Sequence, residues 1–228
     1  MGSHHRRAGR RTLLGWTAGA CALTALEGWS LRVPEVDAAD RWLFTVVDSA
    51  PEFLRGPLWA AQSTGVLGAP AVVAAGAAAV RRYRLAVALL LLIPSKLAAE
   101  HELLKSWVTH PRPGALVPSA ILRGAPVAGN AFPSGHAVIL AGMAVLLLPW
   151  LGMRGRAAVL AVAVLGALAR VYLGAHTPLD VLGGAAAGVA LGTALTLLTR
   201  AAPRVPIVPT TGDQQPSLRT GDDVTVQE

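Results

Sequence analysis

Three long stretches of this chain carry no ionisable acid or base: residues 56–80, 137–153 and 181–199. A soluble fold must cover its surface with polar groups, and about a quarter of an ordinary domain is charged. Here only 14% is charged while 53% is hydrophobic. The uncharged runs match the ~17–25 apolar residues that cross a bilayer as a helix. The apolar content excludes a disordered chain, and the absence of period-2 alternation leaves helices as the spanning element. The fold class expected is therefore all-α, a polytopic membrane bundle.

Six spans follow from the pattern: Leu13–Leu31, Leu58–Val80, Leu85–Leu104, Ala137–Leu151, Arg156–Leu173 and Leu179–Thr199. The stretch Trp42–Trp59 contains Asp48, Pro51, Glu52 and Arg55 and reads as an interfacial connection. Arginines at 6, 7, 10, 11, 81, 82, 84, 154, 156, 200 and 204 fall on one face of such a bundle, and Glu35, Asp37, Asp40, Asp48 and Glu52 on the other. By the positive-inside rule both termini are cytoplasmic. Trp29, Trp42, Trp59 and Trp107 then belong to the outer aromatic belt, and Trp16 and Trp150 to the inner one.

This layout divides the chain into a basic cytoplasmic segment over 1–11, a six-helix domain over 12–200 and a disordered cytoplasmic tail over 201–228. The opening also resembles an export signal at Arg10-Arg11 and a lipoprotein box ending at Cys21. Cleavage there would leave five spans and gain the bundle nothing. The net charge of +7 does not imply nucleic acid, because the cations are dispersed between apolar spans rather than striped along one face. The single cysteine excludes an internal disulfide. Gly184, Gly188 and Gly192 allow close helix packing, and admit a homodimer seam as an alternative.

Three polar clusters lie at the outer ends of spans. The first runs Lys105-Ser-Trp-Val-Thr-His-Pro-Arg112-Pro113, with two prolines that stop the helix and extend the chain around Arg112. The second is Pro133-Ser134-Gly135-His136, where Ser134 suits an N-cap and the free N–H groups of the next helix attract an anion. The third runs from Arg170 through His176 to Asp180. Thr177, Pro178 and Asp180 suit the N-cap, N1 and N3 positions, so the Asp180 carboxylate folds back toward His176. His110 reads as a solvated or rim residue, with contact to the substrate as the alternative. Lys96 and Glu100 read as a structural polar pair below the site, with head-group selection as the alternative. Three cations, two histidines, a carboxylate and two helix N-termini on one face suit a phosphoryl group, whose transfer is mostly positioning and electrostatic stabilisation.

Lys-x6-Arg-Pro, Pro-Ser-Gly-His and Arg-x5-His-x3-Asp, in this order, resemble the three motifs of the type-2 phosphatidic-acid phosphatase superfamily. One departure is Ala169, where the family's third motif usually has serine before the arginine. The resemblance implies His176 as a nucleophile that forms a phosphohistidine, Asp180 as its orienting carboxylate, and His136 as general acid and then general base. It assigns Lys105, Arg112, Ser134, Gly135 and Arg170 to the phosphate oxygens and requires neither metal nor other cofactor. The activity implied is hydrolysis of an isoprenoid or glycerolipid mono- or diphosphate at the outer face of the cell membrane. Three alternatives are a lipid phosphotransferase, a soluble vanadate-holding haloperoxidase, and a lipid-binding or transport protein weakened in catalysis.

Overall fold

The computed structural model describes residues 2–104, 107–126 and 129–202. Among these, regular structure is helical; the one β-type pairing is an isolated bridge between Pro111 and Asn130. The helices are α1 (Gly2–Ser30), α2 (Pro34–Asp48), α3 (Arg55–Ser63), α4 (Ala69–Ala79), α5 (Tyr83–Ala98), the single turn α6 (Pro113–Leu116), α7 (Gly135–Leu147), α8 (Met153–Tyr172) and α9 (Pro178–Thr199). Among the described residues, α8 and α9 are the helices long and apolar enough to cross a bilayer unaided. On α8 the apolar side chains Leu160, Val164, Leu165 and Leu168 point outward and stay exposed, as a helix bathed in lipid requires.

Two expected spans take a different form. The stretch Leu58–Val80 is not one helix, because the chain breaks between Ser63 and Ala69. Gly65, Gly68 and Pro70 supply the punctuation there, and the long uncharged run outweighed them in the sequence pattern. The third span stops being α-helical at Ala98 and continues as a π-helical turn over Ala99–Leu104. Such wide turns are rare and gather at functional sites. The connection expected over Trp42–Trp59 contains the end of α2, a 3-10 turn at Glu52–Leu54 and the start of α3. The basic N-terminal segment is continuous with α1, and residues 203–228 lie outside the described part.

Helix α9 packs closely on α7. A Cβ at Gly184 or Gly188 would collide with the carbonyl oxygens of Ser134 and Val138, and one at Gly192 would lie 2.9 Å from the Val145 side chain. The glycine stripe is therefore spent inside the chain and offers no free dimer seam. On another face of α9, the hydroxyls of Thr17 and Thr193 meet at 2.7 Å and tie in α1. Leu85, Leu89 and Leu92 of α5 fill the core with Ile139, Met143 and Leu195. At the other end Phe44 of α2, fully buried, plugs the space between Ala137, Val171 and Val181. The starts of α7 and α9 and the end of α8 are thereby gathered under α2.

Candidate functional site

Ser134 has extended backbone angles and starts α7, but its hydroxyl makes no capping bond. Its N–H instead donates to the Asp180 carbonyl at 2.9 Å, which fixes the N-terminus of α7 against that of α9. The Ser134 Oγ is buried with no hydrogen-bond partner among the described residues. At α9 the capping expectation is met on the Asp180 side: its Oδ2 accepts the Thr177 N–H at 2.9 Å. Asp40, from α2, accepts the next free amide, Leu179 N–H, at 2.9 Å.

After α8 the chain reverses at Gly174, with φ +75, a region that costs other residues strain. The turn returns the N–H groups of Ala175 and His176 to the Arg170 carbonyl, at 3.1 and 3.2 Å. Arg123 supports this turn from outside. Its guanidinium pairs with Asp48 at 2.9 Å, lies 3.9 Å above the Tyr172 ring and donates to the Tyr172 carbonyl. The loop leading to Arg112 is equally constrained. Asn130 accepts the His110 N–H at 2.9 Å and donates to the Val108 carbonyl at 2.6 Å, while Ala131 N–H donates to the His110 carbonyl at 2.7 Å.

These elements enclose a cavity of about 220 Å³ whose lining includes His136, His176, Arg112, Arg170 and Gly135. The structure thus brings together five of the eight residues singled out by the sequence. Asp180 lies directly behind His176, with Oδ2 3.7 Å from His176 Nδ1. Ser134 is buried beside the cavity without lining it. Lys105 lies outside the described residues. Arg112 donates to the Ala175 carbonyl at 2.9 Å and Arg170 to Gln62 at 2.7 Å, and the Nε of each arginine is buried with no hydrogen-bond partner among the described residues. Those buried donors suit a cavity meant for an anion.

Three features go beyond the sequence reading or differ from it. Lys96 and Glu100, an ion pair one helical turn apart, both line this cavity. A Cβ at Gly135 would sit 2.9 Å from the Lys96 Nζ, so glycine there admits the lysine to the mouth of α7. Gly65, in the break between α3 and α4, lets backbone approach His136 closely: a Cβ would lie 3.2 Å from its imidazole. Finally, His110 is not a solvated rim residue. It is 4% exposed, and its Nδ1 lies 2.8 Å from Asp180 Oδ1. The i,i+4 spacing of Lys96 and Glu100 was a legible signal, whereas nothing local to His110 announces its partner.

Burial lowers the His176 pKa below the ordinary imidazole value; Asp180 opposes this, and Arg170 and Arg112 reinforce it. Its ring is thus neutral at neutral pH. His110 moves the other way. Burial opposes its charge, but Asp180, Asp40 and Asp37 outweigh burial and raise its pKa. Among the described residues no group of His, Cys, Asp and Glu is placed to hold a metal ion.

Helix ends here present two imidazoles and several cations to one cavity, groups of the kind that phosphoryl transfer uses. Residues 79–204 match the family model of the PAP2 superfamily, more than half of the chain, and the protein belongs to that superfamily. Over 62 residues it is 40% identical to an Escherichia coli (strain K12) protein named "Putative undecaprenyl-diphosphatase YbjG", a match covering 27% of this chain and 31% of that protein. The fold is similar to that of a transmembrane PAP2 type phosphatidylglycerolphosphate phosphatase from Bacillus subtilis, with a TM-score of 0.65 and 21% identity over 82% of this chain and 98% of the other. It is also similar to Aquifex aeolicus LpxE, with a TM-score of 0.58 and 22% identity over 68% and 93% of the two chains.

Proposed function

We propose that this chain is an integral membrane phosphatase that removes phosphate from a lipid phosphate or diphosphate. The observation that carries the reading is the single cavity lined by His136, His176, Arg112 and Arg170, with Asp180 behind His176. A neutral His176 at the entrance of α9 has a lone pair to offer. Its Nε2 attacks phosphorus, and the bond from phosphorus to the lipid oxygen breaks. His136, protonated once the anionic phosphate is bound beside it, gives that oxygen its proton and is left neutral, so the lipid leaves as an alcohol (or as a monophosphate, from a diphosphate). Asp180, 3.7 Å behind the His176 ring, stabilises the positive charge that develops on it. In the second step water attacks phosphorus, His136 takes the water's proton, and the nitrogen–phosphorus bond breaks to release inorganic phosphate. Arg112, Arg170 and the Gly135 N–H hold the phosphoryl oxygens throughout, and Lys105 and Ser134 join them in this reading.

The membrane layout belongs to the same proposal. Six crossings use α1, the broken pair α3–α4, α5 with its π turn, α7, α8 and α9, with residues 1–11 and 201–228 cytoplasmic. The site then opens on the outer, extracytoplasmic face. An apolar groove of about 610 Å³ lies beside the cavity, between α4, α7 and α8, lined by Val72, Val73, Met143, Leu147 and Val162. Leu140 lines the groove and its neighbour Ile139 lines the cavity, so a lipid chain in the groove delivers its phosphate to the histidines. The resemblance to YbjG favours an isoprenoid chain over a glycerolipid.

The test is phosphate release by purified protein from a panel of isoprenyl and glycerolipid phosphates, in detergent with chelator present. Release that survives chelation and disappears in His176→Ala supports the proposal. Full turnover in that variant, or no release from any lipid phosphate, contradicts it.

A further inference from the structure

We propose that His110 is a positioning residue for the nucleophile: as an imidazolium it holds the Asp180 carboxylate from behind and so leaves His176 uncharged. This inference rests on the reading of His176 as nucleophile and Asp180 as its carboxylate.

The geometry distributes the carboxylate unequally. Asp180 Oδ1 meets His110 Nδ1 at 2.8 Å, and Oδ2 accepts the Thr177 N–H at 2.9 Å. His176 Nδ1 stands 3.7 Å from Oδ2 and has no hydrogen bond among the described residues. Asp180 is completely buried, and two bonds that do not involve His176 fix its position. The carboxylate is thus placed before any substrate arrives. His110 itself is held by the Asn130 side chain and by Ala131, and it stands two residues before Arg112. One rigid loop therefore delivers both a phosphate-binding arginine and the clamp on the carboxylate.

The charges around His110 decide its protonation. From α9 it faces Asp180; from α2 it faces Asp40 and Asp37, whose Oδ1 lies 3.8 Å from His110 Nε2. Its neighbours across the loop, Asn130 and Ala131, are neutral. Asp180 at hydrogen-bond distance, aided by Asp40 and by Asp37 (itself paired with Arg41), retains the His110 proton against the cost of burial. An imidazolium on Oδ1 in turn screens Asp180 from His176, which also faces Arg170 and Arg112. Without that screen the full charge of Asp180 would fall on His176 and favour its protonated form, which has no lone pair for phosphorus.

The test is His110→Gln in the full chain, which preserves a neutral donor and removes the charge. The readout is kcat/KM for phosphate release from dioleoyl phosphatidic acid and farnesyl phosphate, from about pH 5 to about pH 9. Ionisation of the substrate is common to both proteins and cancels in the comparison. The expected result is an acid limb moved upward by on the order of one unit, as losing one nearby charge produces. A superimposable profile, or a loss that is equal at every pH, overturns the proposal; the latter is what a merely structural histidine gives. A second measurement needs no variant that folds: imidazole nitrogen NMR titration of the wild-type chain in detergent. His110 protonated above the ordinary histidine range and His176 neutral support the clamp, and the reverse order overturns it. If the wild type hydrolyses neither lipid, the phosphatase reading fails while the titration still decides the charge of His110.

Discussion

Replacing Arg123 by methionine removes the cation that joins three parts of the site. The Arg123 side chain is 4% exposed and that of Asp48 is 3% exposed, and they pair at 2.9 Å. A buried carboxylate stripped of its partner costs about 3–5 kcal/mol. Asp48 retains one bond, the Ile121 N–H at 2.6 Å, which places the expected loss near the lower end, about 3 kcal/mol. Glu52 contributes little, since its side chain is 61% exposed. Burial already raises the Asp48 pKa against the pull of Ile121 and Arg123, and removing Arg123 raises it further. A carboxyl with a raised folded pKa favours the folded state more as pH falls through that value, so the variant regains stability on acidification. The assay is equilibrium unfolding in detergent micelles at neutral and at mildly acid pH, for Arg123→Met and for Arg123→Met combined with Asp48→Asn. The double variant is expected to be more stable than the single one, because it no longer buries an unpaired charge. A loss below about 1 kcal/mol in the single variant, or no recovery in the double, refutes the assignment of Arg123 as an electrostatic staple. Phosphate release should also fall in the single variant, since the turn that carries His176 hangs from Tyr172 and Leu173.

Asp180→Asn retains an acceptor for the Thr177 N–H and loses the charge behind His176, so phosphate release should drop about 10²–10⁴-fold with helix α9 intact by circular dichroism; an unchanged rate would make Asp180 a cap only. Gly188→Val places a branched side chain against the Val138 carbonyl, where backbone cannot yield, and should destabilise the bundle by about 1–3 kcal/mol in the same unfolding assay. Wild-type stability in that variant would mean that α7 and α9 separate easily. Lys96→Met removes a cation from the cavity and should raise KM for a lipid diphosphate more than for the monophosphate of the same chain; equal effects would confine Lys96 to its pairing with Glu100.

The sequence disclosed those parts of the site that are local to a helix end. Thr177, Pro178 and Asp180 announce the start of α9 because a capping box is a four-residue pattern, and Ser134 announces α7 because a cap-type residue precedes an apolar run. The uncharged stretches disclosed an all-helical membrane chain because hydrocarbon leaves the backbone few choices. What stayed hidden depends on contacts between distant positions. His110 and Asp180 are 70 residues apart, Arg123 and Asp48 are 75 apart, and Gln62 and Arg170 are 108 apart. The burial of His110 follows from α2 lying over the site, which no pattern within α2 states. The break at Gly65 was written in the sequence but overruled by hydropathy; its purpose, backbone against His136, appears only when α3 and α7 are together. Ser134 shows the converse: it occupies the cap position that its residue type suggests, yet its N–H serves Asp180 and its hydroxyl remains unbonded.

The most direct measurement of the central claim is the covalent state of the enzyme during turnover. Protein mixed with a lipid phosphate labelled on phosphorus, quenched in alkali and digested, should yield a phosphorylated peptide containing His176, with the label lost on acidification. Label on another residue under conditions of active hydrolysis, or turnover with no labelled protein at any quench time, would contradict the account.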